Sequence, residues 1–144
     1  MVGRPTSPGP AGDTGATLPI ARDDDVVRVR QAVRSAAVAA RLSLVDQTKL
    51  VTAASELARN TLIYGGGGQA AIEPVTTDRR RGVRVVFTDT GPGIADLDLA
   101  MTDGYTSGNG MGLGLSGARR LVDDFDIVTA AGAGTRISVT KWAR

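Results

Sequence analysis

The chain has 144 residues and 14.8 kDa, enough for one domain with a sizeable core and too little for two. Cys and His are both absent, which excludes disulfides, thiol catalysis, Cys/His metal centres, histidine triads and phosphohistidines within the chain. Charge is close to balanced at +2, and no apolar run approaches the ~20 residues of a membrane span. No signal-peptide pattern opens the sequence, so a cytoplasmic protein is expected. The one dense basic cluster, Arg79, Arg80, Arg81 and Arg84, has no interleaved aromatics and stands beside Asp78. That argues for a solvated turn, and neither nucleic acid nor membrane is an expected partner.

Residues 1–24 hold Pro5, Pro8, Pro10 and Pro19 among Gly, Ser and Thr, and are expected to be a disordered tail. The domain is expected to span 25–144, opening with a short strand at Val26–Val29. An Ala- and Arg-rich helix should follow over 30–42, with Val33, Ala37 and Ala40 on one face. A second helix is expected from a cap at Asp46 to Tyr64, with Leu50, Ala54, Leu57 and Thr61 as its apolar stripe. Gly65–Gly68 ends it. Residues 70–75 and 83–88 read as strands joined by the Arg-rich turn. A glycine-rich region then runs from Asp89 to Gly114, with a helical turn at 94–100. A helix over 115–123 and a hairpin of 125–128 with 135–139 complete the chain. The interleaving of helices with hairpin-joined strands predicts a two-layer α/β sandwich with a mixed sheet.

Three segments carry candidate chemistry. Glu56 and Asn60 are four residues apart, so they project from one helical face and could hold a hard cation through oxygen; a solvated helix face gives the same pattern. Asp89-Thr90-Gly91-Pro92-Gly93-Ile94 follows a β-branched run. A carboxylate there can accept from an exocyclic amine while the glycines let backbone approach a flat ring; a plain tight turn would look alike. Gly108-Asn109-Gly110-Met111-Gly112-Leu113-Gly114 leads into a helix and leaves backbone N–H groups open to phosphate, or is simply a flexible loop.

In that order and spacing, the three segments resemble the Bergerat ATP-binding fold of the GHKL superfamily, which spans gyrase-type ATPases, histidine kinases and anti-sigma-factor kinases. The resemblance implies that Glu56 is the catalytic base and Asn60 the Mg²⁺ ligand. It also implies that Asp89, Gly91 and Gly93 bind adenine, and that Gly108, Gly110, Gly112, Leu113 and Gly114 bound a lid over the triphosphate. The chain leaves no room for a transducer domain and has no phosphoacceptor His. Ser55–Asn60, Tyr64–Gln69, Met101–Ser107, Gly117–Phe125 and Lys141-Trp142 are similar to the small switch kinases of the RsbT type. That likeness covers 25–144 and implies ATP and Mg²⁺ as cofactors. It further implies phosphorylation of a STAS-domain antagonist on Ser or Thr, and a regulatory serine phosphatase as second partner. Two other readings stay open: an anti-sigma factor that sequesters a sigma factor, and an ATP-binding module without catalysis.

Overall fold

The computed structural model describes residues 15–102 and 114–144. In chain order the elements are β1 (Ala16–Ile20), α1 (Asp23–Ala39), α2 (Leu44–Ile63), β2 (Gly68–Thr76), β3 (Arg81–Asp89), α3 (Leu97–Ala100), α4 (Gly114–Arg120), β4 (Asp124–Thr129) and β5 (Thr135–Trp142). The strands form one sheet in the order β1-β2-β3-β5-β4. Along β3, Val83, Val85 and Phe87 are buried while Arg84 is exposed and Val86 and Thr88 are half-buried. Side chains alternate across a strand, so the helices cover one face of the sheet and leave the other open. This is the expected two-layer α/β sandwich.

The sheet is not mixed. All four strand pairings are antiparallel. β2–β3 and β4–β5 are hairpins, and the chain between β3 and β4 carries α3 and α4 and returns so that β5 also runs against β3.

The register stacks the inward side chains in rows across the sheet. Leu18, Ala70, Phe87, Ile137 and Ile127 form one row, and Ile72, Val85, Val139 and Phe125 the next. Val29, Val33 and Ala37 of α1, with Leu50, Ala53, Ala54, Leu57 and Ala58 of α2, are buried in the same core. Each Val or Leu so buried contributes roughly 1.5–3 kcal/mol, which outweighs the few tenths separating helix from strand propensity. Above these apolar rows runs a polar one, with Gly68, Asp89, Thr135 and Thr129 on β2, β3, β5 and β4.

At the opposite end of the sheet, Lys141 is buried with its Nζ 3.6 Å from Asp46 and 3.4 Å from Asp123. Arg144 reaches the same two carboxylates. The C-terminus is thereby tied to the start of α2 and to the turn before β4.

Three expectations at the N-terminal side are corrected. The tail does not extend to residue 24, because Ala16–Ile20 pairs with β2 as an edge strand and Ile20 is buried. An edge position tolerates Pro19, whose missing N–H matters only inside a sheet; residues 1–14 lie outside the described residues. Val26–Val29 is helix, not strand. Val26, Val29, Val33 and Ala37 recur at helical spacing and are all buried, and Asp23, Asp24 and Asp25 supply the acidic first turn that suits a helix N-terminus. Asp25 Oδ2 accepts the Ala21 and Arg22 amides at 2.8 and 3.1 Å, fastening that turn. Finally, α2 is capped by Ser43, whose hydroxyl accepts the Asp46 amide at 3.1 Å. Asp46 sits one turn further on, where its carboxylate meets Lys141.

Candidate active site

A cavity of about 370 Å³ opens between α2, the segment after β3, α3 and the start of α4, a size suited to a small-molecule ligand. Glu56, Asn60, Asp89, Gly93 and Gly114 all line it, so one site gathers residues from all three sequence segments. Gly91 lines no part of it and acts from behind. Gly108, Gly110, Gly112 and Leu113 lie outside the described residues.

Glu56 and Asn60 reach the cavity because α2 turns two faces in different directions. Leu50, Leu57 and Thr61 are buried in or against the core; Glu56 and Asn60, one turn apart, look along the adjoining edge. Glu56 is only 7% exposed. Among the described residues it has no cationic partner, and its one hydrogen bond comes from the Gly114 amide, at 3.3 Å to Oε2. A buried carboxylate with so few partners is well suited to hold a cation. The Asn60 side chain is half-buried and makes no hydrogen bond among the described residues. Carboxylate and amide oxygens together are a hard donor set that fits Mg²⁺.

Asp89 ends β3 and lines the same cavity. Its Oδ1 accepts the Gly91 amide at 2.9 Å, and among the described residues the carboxylate accepts no other hydrogen bond. Its neighbour is the Gly65 backbone. A Cβ on Gly65 would fall 2.5 Å from the Asp89 carboxylate, and one on Gly91 would fall 2.6 Å from the Gly65 carbonyl oxygen. The two glycines are therefore required for the close approach that holds Asp89 in place. The rest of the segment is fastened to the β4–β5 turn, where the Gly132 amide donates to the Pro92 carbonyl at 2.6 Å and the Ile94 amide to Thr129 at 2.9 Å.

Several lining residues were not named as site residues from the sequence: Thr61, Tyr64, Gly65, Leu99, Thr135 and Ile137. Thr135 and Ile137 come from the far end of the chain and face the cavity only because β5 pairs with β3, placing Thr135 opposite Asp89. The signal available was the alternation Thr135, Ile137, Val139 behind a glycine turn. Gly65 could have been found as the first residue of the glycine run that ends α2.

Residues 45–143 match the family described as histidine kinase-, DNA gyrase B- and HSP90-like ATPases. The chain belongs to this family. It is 42% identical over 120 residues to "Serine/threonine-protein kinase RsbT" of Bacillus subtilis (strain 168), covering 83% of this chain and 90% of that one. Its fold is also similar to the crystal structure of the RsbU and RsbW domains of Rv1364c from Mycobacterium tuberculosis, with a TM-score of 0.63 and 21% identity. That match covers 91% of this chain and 33% of the other. The matched family region begins in α2 and ends after β5, so it contains every cavity-lining residue. No helix among the described residues is long and apolar enough to cross a membrane.

Proposed function

We propose that this protein is an ATP-dependent serine/threonine protein kinase that phosphorylates a STAS-domain antagonist and, once released, binds a regulatory serine phosphatase. It would thus act as a partner switch in the cytoplasm. The observation that carries the reading is Glu56, a buried carboxylate with no cationic partner among the described residues, in the same cavity as Asn60 and Asp89. The RsbT-like sequence supports the kinase assignment over a purely nucleotide-binding module.

Position supports the following roles. Asp89 accepts from the exocyclic amine of adenine, and Gly91 and Gly65 hold its carboxylate for that contact. Asn60 would hold Mg²⁺ next to Glu56, and the ion, when bound, supplies positive charge to the phosphates. Glu56 takes the proton of the acceptor hydroxyl. The hydroxyl oxygen forms a bond to the γ-phosphorus, the bond from that phosphorus to the β,γ-bridging oxygen breaks, and ADP carries away the electron pair. Such transfer depends chiefly on positioning and charge, with a placed base adding about 10²–10⁴-fold.

The test is transfer of label from γ-labelled ATP with Mg²⁺ to a candidate STAS protein, comparing the wild-type chain with Glu56→Ala. Labelled serine or threonine only with the wild type is expected. Absence of transfer together with stable capture of a sigma factor would replace the kinase by the sequestering function.

A further inference from the structure

Thr129 does not line the cavity, yet its single hydroxyl makes three polar contacts. It accepts the Ile94 amide at 2.9 Å, donates to the Gly134 carbonyl at 3.1 Å and lies 2.9 Å from the Thr135 hydroxyl. A hydroxyl has one proton and two acceptor sites. The Gly134 carbonyl can only accept and the Ile94 amide can only donate, so the Thr129 proton goes to Gly134. The remaining bond then has one direction, from Thr135 to Thr129. Reversing it would break the contact with Gly134.

The consequence falls on Thr135, which does line the cavity. Its one proton is committed to Thr129, so toward any ligand its oxygen can only accept. Thr135 is also the direct cross-strand partner of Asp89, on the same face of the sheet. A carboxylate likewise has no proton to give. The pair Asp89–Thr135 therefore presents an acceptor-only edge to the cavity, with its polarity set by Thr129 on the neighbouring edge strand β4.

We propose that Thr129 is a positioning residue that sets the base specificity of the nucleotide site. By holding the Thr135 proton, it favours a 6-aminopurine, which brings hydrogens directly or through water. It disfavours a 6-oxopurine, whose carbonyl would meet two acceptors. The inference rests on Asp89 reading the base.

Calorimetric titration of the full chain with ATP and with inosine triphosphate, both with Mg²⁺, tests it, because the two ligands differ at the 6-position. The wild type is expected to prefer ATP. Thr129→Val frees the Thr135 hydroxyl to donate and should cut that preference by about fivefold, the worth of one neutral hydrogen bond. Thr129→Ser should keep it, and Thr129→Val/Thr135→Val should lose no more of it than Thr135→Val alone. Equal weakening of both nucleotides by Thr129→Val would mean that Thr129 only braces the hairpin, and would overturn the proposal. If Thr129→Val does not fold, Thr135→Val must still lose the preference while Thr135→Ser retains it; any other result is equally fatal. A preference that survives Asp89→Asn would overturn the reading of Asp89 itself. A preference lost in Asp89→Asn but intact in Thr129→Val overturns only the role of Thr129.

Discussion

Gly114 and Glu56 lie 58 residues apart in the chain, and the amide of the first meets a carboxylate oxygen of the second at 3.3 Å in buried surroundings. The contact ties the first residue of α4 to the middle of α2, and it lets the structural and chemical roles of Glu56 be separated. Glu56→Gln keeps an oxygen that can accept the Gly114 amide and removes the proposed base. It should melt like the wild type, bind Mg·ATP, and lose about 10²–10⁴-fold in phosphotransfer. Glu56→Ala should lose the same activity and also about 1–2 kcal/mol of stability, because a buried N–H is left without an acceptor. Near-normal transfer by the Gln variant would rule out Glu56 as the base.

Asn60 should behave differently. Its side chain has no hydrogen-bond partner among the described residues, so Asn60→Ala leaves no donor or acceptor stranded in the fold. The expected result is unchanged melting without nucleotide and weaker ATP binding that raised Mg²⁺ partly restores. Binding that is insensitive to Mg²⁺ in both proteins would remove Asn60 from the metal site.

Gly65→Ala tests the packing behind the adenine contact. The new methyl would fall 2.5 Å from the Asp89 carboxylate, and the carboxylate must move. A charge-assisted hydrogen bond is worth roughly 1.5–3 kcal/mol, so its loss should raise the ATP dissociation constant by about tenfold or more. The rate at saturating ATP should change far less, because the group displaced is the Asp89 carboxylate and not the side chain of Glu56 or Asn60. A variant with unaltered ATP affinity would show that Asp89 makes no contact with the base.

Lys141 holds the opposite end of the domain. Lys141→Met keeps the apolar stem and removes the charge between Asp46 and Asp123, leaving two carboxylates facing each other. Breaking a buried ion pair costs about 3–5 kcal/mol, and the lower end is expected because Arg144 still reaches both acids. Urea unfolding would measure it. A change below about 0.5 kcal/mol, the scale of a surface substitution, would place the pair among contacts of no consequence.

The same cluster predicts an acid limit. Burial works against ionisation of Asp123, but the Trp142 amide bond and the charges of Lys141 and Arg144 outweigh it and hold the carboxyl below its ordinary range. The unfolded chain has an ordinary aspartate near pH ~3.9. The lowered folded value therefore contributes stability that is fully present above that pH and is lost as pH falls through the folded value. Unfolding midpoints measured downward from pH 6 should drop in this acid range, and Asp123→Asn should be less stable at pH 6 with a flatter acid limb. An Asn variant with the wild-type pH profile would show that other carboxylates set the limit.

What could be read without coordinates was local in origin. The apolar spacing of Leu50, Ala54 and Leu57 identified α2, the glycine run after Tyr64 marked its end, and the β-branched run through Val83–Thr88 identified β3. Glu56, Asn60 and Asp89 could be marked as candidates because helical spacing and a strand-end carboxylate express themselves within a few residues, and their roles came from the resemblance that the order of the segments carries. Tertiary structure decided the rest. Val26–Val29 has the composition of a strand, and it is a helix because that spacing buries Val26, Val29 and Val33 together against α2 and the sheet. Ala16–Ile20 looks like tail until β2 offers an edge that tolerates Pro19. The all-antiparallel order, with β5 inserted between β3 and β4, rests on pairings between residues about fifty apart, as in Asp89 with Thr135. No local propensity encodes such a partner. That pairing brings Thr135 to the cavity and places Thr129 behind it, so the polarity of the site is a property of the sheet's register rather than of any single motif.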